Sequence, residues 1–424
     1  MLIQSFTPNF RDALRFWMKL GWINFGGPTG QIAILHHELV TRKKWIEENH
    51  FLHALNFCMI LPGPEAHQLA IYLGWLLHGT RGALAAGIFF VLPSLIILWL
   101  LSYFYVLYGQ MLWVSSIFEG LRAAILAIIV GAVIRLGKKT IQNKILVLIA
   151  WFAFLGLTLF KISFPWIILS AAATGIIFKK ELSLLPTTPL TGPAALVLEE
   201  RFNWNQFFKT LTLGLLIWWG PILLAGILAG WQSVFFQQGL FFSKAALVTF
   251  GGAYAVLPYV AQHAVDQFGW LTHAQMMDGL ALAETTPGPL VIVLQFVGFL
   301  GGWHKAGSLP PLLTATFCSG ITAWATFVPS FLWIFLGASY TEKLQQKKNF
   351  VAALAAIAAA VLGVLASLTF WFAQAAFLKE GKINFFVLLT AGACFWLLKR
   401  LEYRVVPIIL FGALAGAAKF YFLS

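Results

Sequence analysis

Charge is scarce in this chain of 424 residues: Asp, Glu, Lys and Arg make up 10% of it, against 60% apolar residues. So little charge cannot cover a soluble protein of this length, which excludes an ordinary water-soluble enzyme or binding module. Cysteine is almost missing, with three residues. Cys58, Cys318 and Cys394 each sit alone in an apolar run without CxxC spacing, so no disulfide, thiolate metal site or redox pair is implied. Acidic residues number 15 against 28 basic ones, and the excess lies mainly in short segments between apolar runs. There it reads as a signal of membrane orientation, and no nucleic-acid partner is expected. A removable signal peptide is not expected either, because the charges of "MLIQSFTPNFRDALRFWMKLG" are spread through an amphipathic pattern with no small-residue cleavage site.

What is present is a series of apolar runs, among them 82–108, 111–134, 145–160, 207–230, 350–372 and 383–398, and 18 tryptophans. Runs of this length suit membrane-spanning helices and not the short alternating strands of an outer-membrane barrel. The fold class expected is an all-α polytopic membrane protein.

The chain also repeats itself. Phe25-Gly26-Gly27 returns as Phe250-Gly251-Gly252, Trp45 as Trp270, and Pro62-Gly63-Pro64 as Pro287-Gly288-Pro289, all at one offset of 225 residues. Leu92-Pro93-Ser94 has a later echo in Val328-Pro329-Ser330. Three parts follow: a first repeat over 1–180, a connector with an extra span over 181–232, and a second repeat over 233–424. Each repeat divides into eight segments, from 8–26 to 163–179 and from 234–251 to 402–422. The left-over span, 207–230, flips the second copy, so the repeat is expected to be inverted. Placing Arg42, Lys43 and Lys44 inside puts most Lys and Arg inside as well, and leaves only Lys161, Lys305, Lys379, Lys382 and Lys419 outside. This sets the N-terminus in the cytoplasm and the C-terminus in the periplasm of a bacterial inner membrane. Inverted repeats with broken helices are an architecture of secondary transporters.

The breaks are where chemistry is expected. Each PGP removes backbone donors and uncouples its flanking helices, which is tolerable in a membrane only inside protein or along a polar cavity. Helix N-termini freed at such breaks are ready anion sites. Whether the short segments around each PGP cross fully or re-enter stays open.

The stretches "FGGPTGQIAILHHELV", "FLHALNFCMILPGPEAHQLAIYLGWLLHGTRG" and "TFGGAYAVLPYV…LALAETTPGPL" resemble the chromate ion transporters, in the long form with two homologous halves of opposite orientation. The resemblance implies export of chromate from the cytoplasm and chromate resistance. Sulfate, of like charge and shape, is the nearest alternative cargo. A passive anion channel stays open beside it, and an intramembrane enzyme finds no nucleophile–base pair or complete metal motif.

The candidate substrate site comprises Gly26, Gly27, Gly63, Gly251, Gly252 and Gly288 at the breaks, with Lys19, Asn24, Gln68, Thr286 and Arg122. Arg122 offers a fork of donors to a tetrahedral oxyanion, and a basic residue in "GLRAAILAIIVGAVIR" is what the resemblance implies. Glu119, three residues earlier, lies on the same helical face and can pair with it. Glu65, Glu284 and Glu119 are candidates for coupling or gating, Glu65 being an intramembrane carboxylate at the start of a half-helix. His67, Thr285 and Gln295 are expected to be neutral polar lining. His36, His37, His50 and His53 lack a zinc spacing, and no metal or other cofactor is expected. The partners expected are the anion, the bilayer and, as an option, a second copy of the chain.

Overall fold

The computed structural model describes residues 8–182, 203–249, 253–337, 348–379, 382–402 and 404–423. Apart from a two-residue antiparallel pairing of Leu378–Lys379 with Lys382–Ile383, the regular structure described is helical. Among the described residues six helices are long and apolar enough to cross a membrane, and the protein is a multi-pass membrane protein.

The first half opens with α1 (Phe10–Ile23) and α2 (Gly27–His36), separated by the Phe-Gly-Gly break. A wide π-turn, His37–Arg42, extends α2, and α3 (Glu48–Cys58) leads to the first PGP. Next comes α4 (Glu65–Tyr108), which turns back on itself at His78 and Gly79, so that Gly74 and Gly82 face each other at backbone contact. The half ends with α5 (Leu112–Thr140), α6 (Lys144–Thr158), α7 (Phe164–Ile177) and a single turn, α8 (Lys179–Leu182). After the connector, α9 (Trp204–Ala229) packs on one side only and leaves a broad apolar face exposed. The second half repeats the order: α10 (Val234–Val248), α11 (Ala253–Ala261), a π-turn at Gln262–Gln267, α12 (His273–Thr285), a 3-10 turn at Leu290–Ile292, α13 (Val293–His304) and α14 (Pro311–Gly337). It closes with α15 (Lys348–Phe377), α16 (Phe385–Arg400) and α17 (Val405–Leu423).

Side-chain caps fix many of these starts. Asn143, Asn203, Ser233 and Asn384 accept backbone N–H groups at the heads of α6, α9, α10 and α16, and Thr272 forms a capping box with Gln275 at α12.

Fine detail recurs at the same offset of 225. The π-turns correspond residue for residue, and Trp45 N–H to Leu39 carbonyl (2.9 Å) matches Trp270 N–H to Ala264 carbonyl (2.8 Å). In the first half Lys43 lies 4.4 Å from the Trp45 ring and 5.5 Å from Phe16. In the second half Phe268 takes the place of that lysine, stacked 4.4 Å from Trp270 and packed on Phe241. One aromatic nest thus holds a cation in one half and a ring in the other.

Two bundles result. The first gathers α1–α4 with α10–α14, and the second gathers α5–α7 with α15–α17. They meet where α11 and α12 pack on α5, α15 and α17; among the described residues α2 and α3 make no comparable contact with the second bundle. The short elements α1, α2, α3 and α12 have 14, 10, 11 and 13 residues. At about 1.5 Å per residue none of them covers a hydrocarbon core of about 30 Å alone.

The second bundle depends on a close crossing of α5 and α17. A methyl group on Gly120 would sit 2.0 Å from the Gly412 carbonyl oxygen, and one on Gly416 would sit 2.2 Å from that of Ser116. Gly412 and Gly416 form a GxxxG stripe that lets the two backbones touch. Gly412→Val is expected to destabilise the protein by about 3 kcal/mol through overpacking. Gly392→Ala, with open space around the glycine, is expected to leave stability unchanged. Thermal unfolding in detergent, read by tryptophan fluorescence, checks both.

Candidate functional site

The four breaks meet in pairs. The N–H of Gly63, in the first PGP, donates to the carbonyl of Thr249 at 2.7 Å, and the N–H of Gly288, in the second PGP, donates to the carbonyl of Asn24 at 2.8 Å. Gly63 and Gly288 are equivalent residues, and so are Asn24 and Thr249. Each PGP therefore meets the residue that precedes Phe-Gly-Gly in the other half, and the exchange is reciprocal, as a two-fold relation between the halves produces. Gly63 and Gly288 have φ of 130° and 117°, open to glycine and closed to side-chain-bearing residues. Ser330 of α14 approaches Gly63, and Ser94 of α4 approaches Gly288, so the two Pro-Ser kinks also trade places. Gly26 and Gly27, at φ of 97° and 64°, make the turn that frees the N-terminus of α2. Gly251 and Gly252, their counterparts, lie outside the described residues.

The backbone is paired and its polar lining is not. Asn24, Gln31, His67 and Gln68 are fully buried. Gln31 donates through Nε2 to the Gly288 carbonyl, and Gln68 donates through Nε2 to the Pro62 carbonyl at 2.7 Å. Both atoms of the Asn24 carboxamide, the Oε1 atoms of Gln31 and Gln68, and the Ser330 hydroxyl have no protein partner among the described residues. The second half has Val256, Leu290, Ile292 and Val293 where the first has Gln31, Glu65, His67 and Gln68. Thr249, opposite Asn24, returns its hydroxyl to the Ala245 carbonyl. The His67 ring packs against Phe90 of α4 and against Phe327 and Phe331 of α14, and so ties the two crossings together. The first turn of α4, from Glu65, opens at this centre.

The remaining sequence candidates divide. Thr286 ends α12 and returns its hydroxyl to the Ala283 carbonyl, as Thr285 does to Leu282. Gln295 bonds to the Leu95 carbonyl and Ser319. Lys19 lies on the exposed face of α1, opposite the buried Ala13, Phe16, Trp17 and Leu20.

Glu119 and Arg122 do not pair with each other, contrary to their spacing. Glu119 takes hydrogen bonds from Lys419 of α17 and Asn384 at the head of α16. Arg122 grips Asp278 of α12 with two parallel bonds of 2.7 Å, and Tyr105 adds a third to the same carboxylate at 2.7 Å. Helix spacing makes a local pair available, and partners from other helices with better geometry win. Asp278 is a functional candidate the sequence reading missed; its signal was a carboxylate inside an apolar stretch of "MMDGLALAE". Glu284 accepts from Tyr254 at 2.9 Å, with Arg135 of α5 in electrostatic reach, and Lys139, one turn on, is in reach of Glu65. One helix, α5, thus carries the cations that face the carboxylates flanking the breaks.

Histidines make local contacts: His36 to Glu48 at 2.7 Å and His50 to Glu47 at 3.7 Å. Among the described residues no three His, Cys, Asp or Glu side chains converge as a metal site.

The family model described as Chromate transporter matches twice, over residues 11–176 and 236–417. A probable chromate transport protein of Synechococcus elongatus is 32% identical over 365 residues, covering 84% of this chain and 84% of that protein. The chromate transport protein of Cupriavidus metallidurans is 30% identical, over 85% of this chain and 81% of its own length. That of Pseudomonas aeruginosa is 31% identical, over 94% and 90%. No solved structure matches the chain. With the family model spanning both halves, and relatives of this identity aligned along most of the chain, the protein belongs to the chromate transporter family.

Proposed function

We propose that this protein is a secondary transporter that exports chromate across the bacterial inner membrane and thereby confers chromate resistance. The observation that carries the reading is the reciprocal crossing of the four breaks, lined by buried polar groups without protein partners. Such a centre, at membrane depth, suits an anion that must shed its water: the first turn of α4 and the Asn24 amide supply donors, and the surrounding helices exclude lipid. The extra helix α9, the reciprocal contacts and the basic inner loops support an inverted repeat of 1–180 and 233–424 around the connector 181–232, with the N-terminus cytoplasmic.

Access alternates, in this reading, by motion of the first bundle against the second. The packing of α11 and α12 on α5, α15 and α17, without a counterpart at α2 and α3, supports a state closed on one side and open on the other. Arg122, with its Nε and Nη2 paired to Asp278, then serves as the latch of the closed side and not as a ligand of the anion. Glu284 with Tyr254, and Glu65, are the coupling carboxylates of the same interface.

Flux measurements in proteoliposomes loaded with chromate test these roles. Asn24→Leu is expected to lower flux at least about tenfold, the loss of one or more charge-assisted hydrogen bonds. Lys19→Ala is expected to stay within about twofold, as an exposed surface change should. Arg122→Ala and Asp278→Ala are each expected to cut flux about a hundredfold, since each leaves a buried charge unpaired, and Arg122→Asp with Asp278→Arg is expected to recover part of it. Full flux in Asn24→Leu would remove the breaks as the site, and single variants that do not couple would remove the latch.

A further inference from the structure

Resting on the transport reading, we infer that the site takes chromate as its singly protonated anion, whose one O–H donates to the carboxamide oxygen of Gln31 or of Gln68, and that this separates chromate from sulfate. Both amides are fixed in direction. Gln31 Nε2 faces the Gly288 carbonyl and Gln68 Nε2 faces the Pro62 carbonyl. A carbonyl only accepts, so turning either amide over would set two oxygens against each other. Their Oε1 atoms are therefore bare acceptors held in place, in side chains that are fully buried. Leaving such an atom unpaired costs about 1–3 kcal/mol, a cost that persists where a bound partner offsets it. The acceptors are not a by-product of the repeated backbone, because the second half has Val256 and Val293 at the same positions.

The chemistry of the centre narrows the occupant. A fully deprotonated tetrahedral dianion has only acceptors and would meet the two glutamine oxygens with like partial charge. A metal cation suits the oxygens and is opposed by the N–H ends at the first turn of α4 and by the Asn24 amide. An oxyanion with one hydroxyl satisfies both: its bare oxygens take N–H groups, and its O–H meets a glutamine oxygen. It also carries one charge fewer out of water. Chromate is a strong enough base to hold a proton near neutral pH. Sulfate and selenate are not, although all three are tetrahedral.

Ionisable protein groups stand here as well: Glu65 and His67 on α4, Tyr254 on α11, Glu284 on α12, and Arg135 and Lys139 on α5. Any loss of protein protons at higher pH opposes a dianion more than a monoanion and so raises the chromate-to-selenate ratio, and a ratio that falls with rising pH therefore isolates the proton on the substrate. The experiment measures KM for total chromate, and inhibition by selenate and sulfate, in proteoliposomes of the full chain from about pH 6 to about pH 9. The expected result is a chromate-to-selenate preference of about a hundredfold near neutrality that falls about tenfold per pH unit once chromate itself loses its proton. Gln31→Met and Gln68→Met, which remove the acceptors and keep the volume, are expected to flatten that slope and admit selenate. The wild-type ratio decides the matter even where these variants fail to fold. A preference independent of pH, or selenate competing as well as chromate, overturns the inference and leaves chromate transport standing; absence of any chromate flux overturns the transport reading and the inference with it.

Discussion

Two hydrogen bonds carry the centre of this protein: Gly63 N–H to the Thr249 carbonyl and Gly288 N–H to the Asn24 carbonyl. A helix broken inside a membrane exposes donors and acceptors that lipid cannot satisfy, at several kcal/mol each. Here each break is the remedy for the other. The PGP of one half supplies an N–H to the carbonyl of the residue that precedes Phe-Gly-Gly in the other half, and glycine is required because the chain passes through positive φ at both PGP crossings. Gln68 meets the Pro62 carbonyl within the first half, but these two N–H groups find their acceptors across the halves, so the pairing of the halves is part of what makes the broken helices tolerable.

On this nearly symmetric backbone the side chains are unequal. The first half contributes Asn24, Gln31, Glu65, His67 and Gln68, while the second presents Thr249, Val256, Leu290, Ile292 and Val293 in the same places. The second half places two buried carboxylates in α12, Asp278 and Glu284, where the first half has His53 and Met59. Backbone pairing can therefore stay the same through a change of conformation, while a single polar cluster and a separate set of charges are placed wherever each is useful. The nest around Trp45 and Trp270 follows the same rule, with Lys43 in one copy and Phe268 in the other.

The backbone plan was legible in the sequence because it is made of residues with few uses. Prolines and glycines at a fixed offset mark breaks whatever surrounds them, and the segment boundaries fall close to the helices observed. The site was legible in part: Asn24 and Gln68 stand at the crossings, but Gln31 was passed over inside "FGGPTGQIAILHHELV", since one polar residue in a helix has no periodic signature. Charge pairing was the least legible. Spacing within α5 joined Glu119 to Arg122, whereas the fold joins Glu119 to Lys419 and Arg122 to Asp278, residues 300 and 156 positions away. Local rules describe which pairs are within reach, and only tertiary packing decides which pair excludes water best.

The distribution of charge has a further logic. A transporter must release what it binds, so its site cannot hold the anion with everything the sequence contains. A guanidinium fork fixed at the breaks would bind an oxyanion bidentately and strongly, and would hold it equally well in either state. In the proposed reading, keeping Arg122 on Asp278, at the contact between the two bundles, puts the strongest interaction where the two access states would differ. Neutral amides and helix ends would then bind the anion with modest strength and without a counter-ion that would have to follow it. Binding energy and conformational energy are in this way assigned to different residues, and only the second kind can bias which side is open.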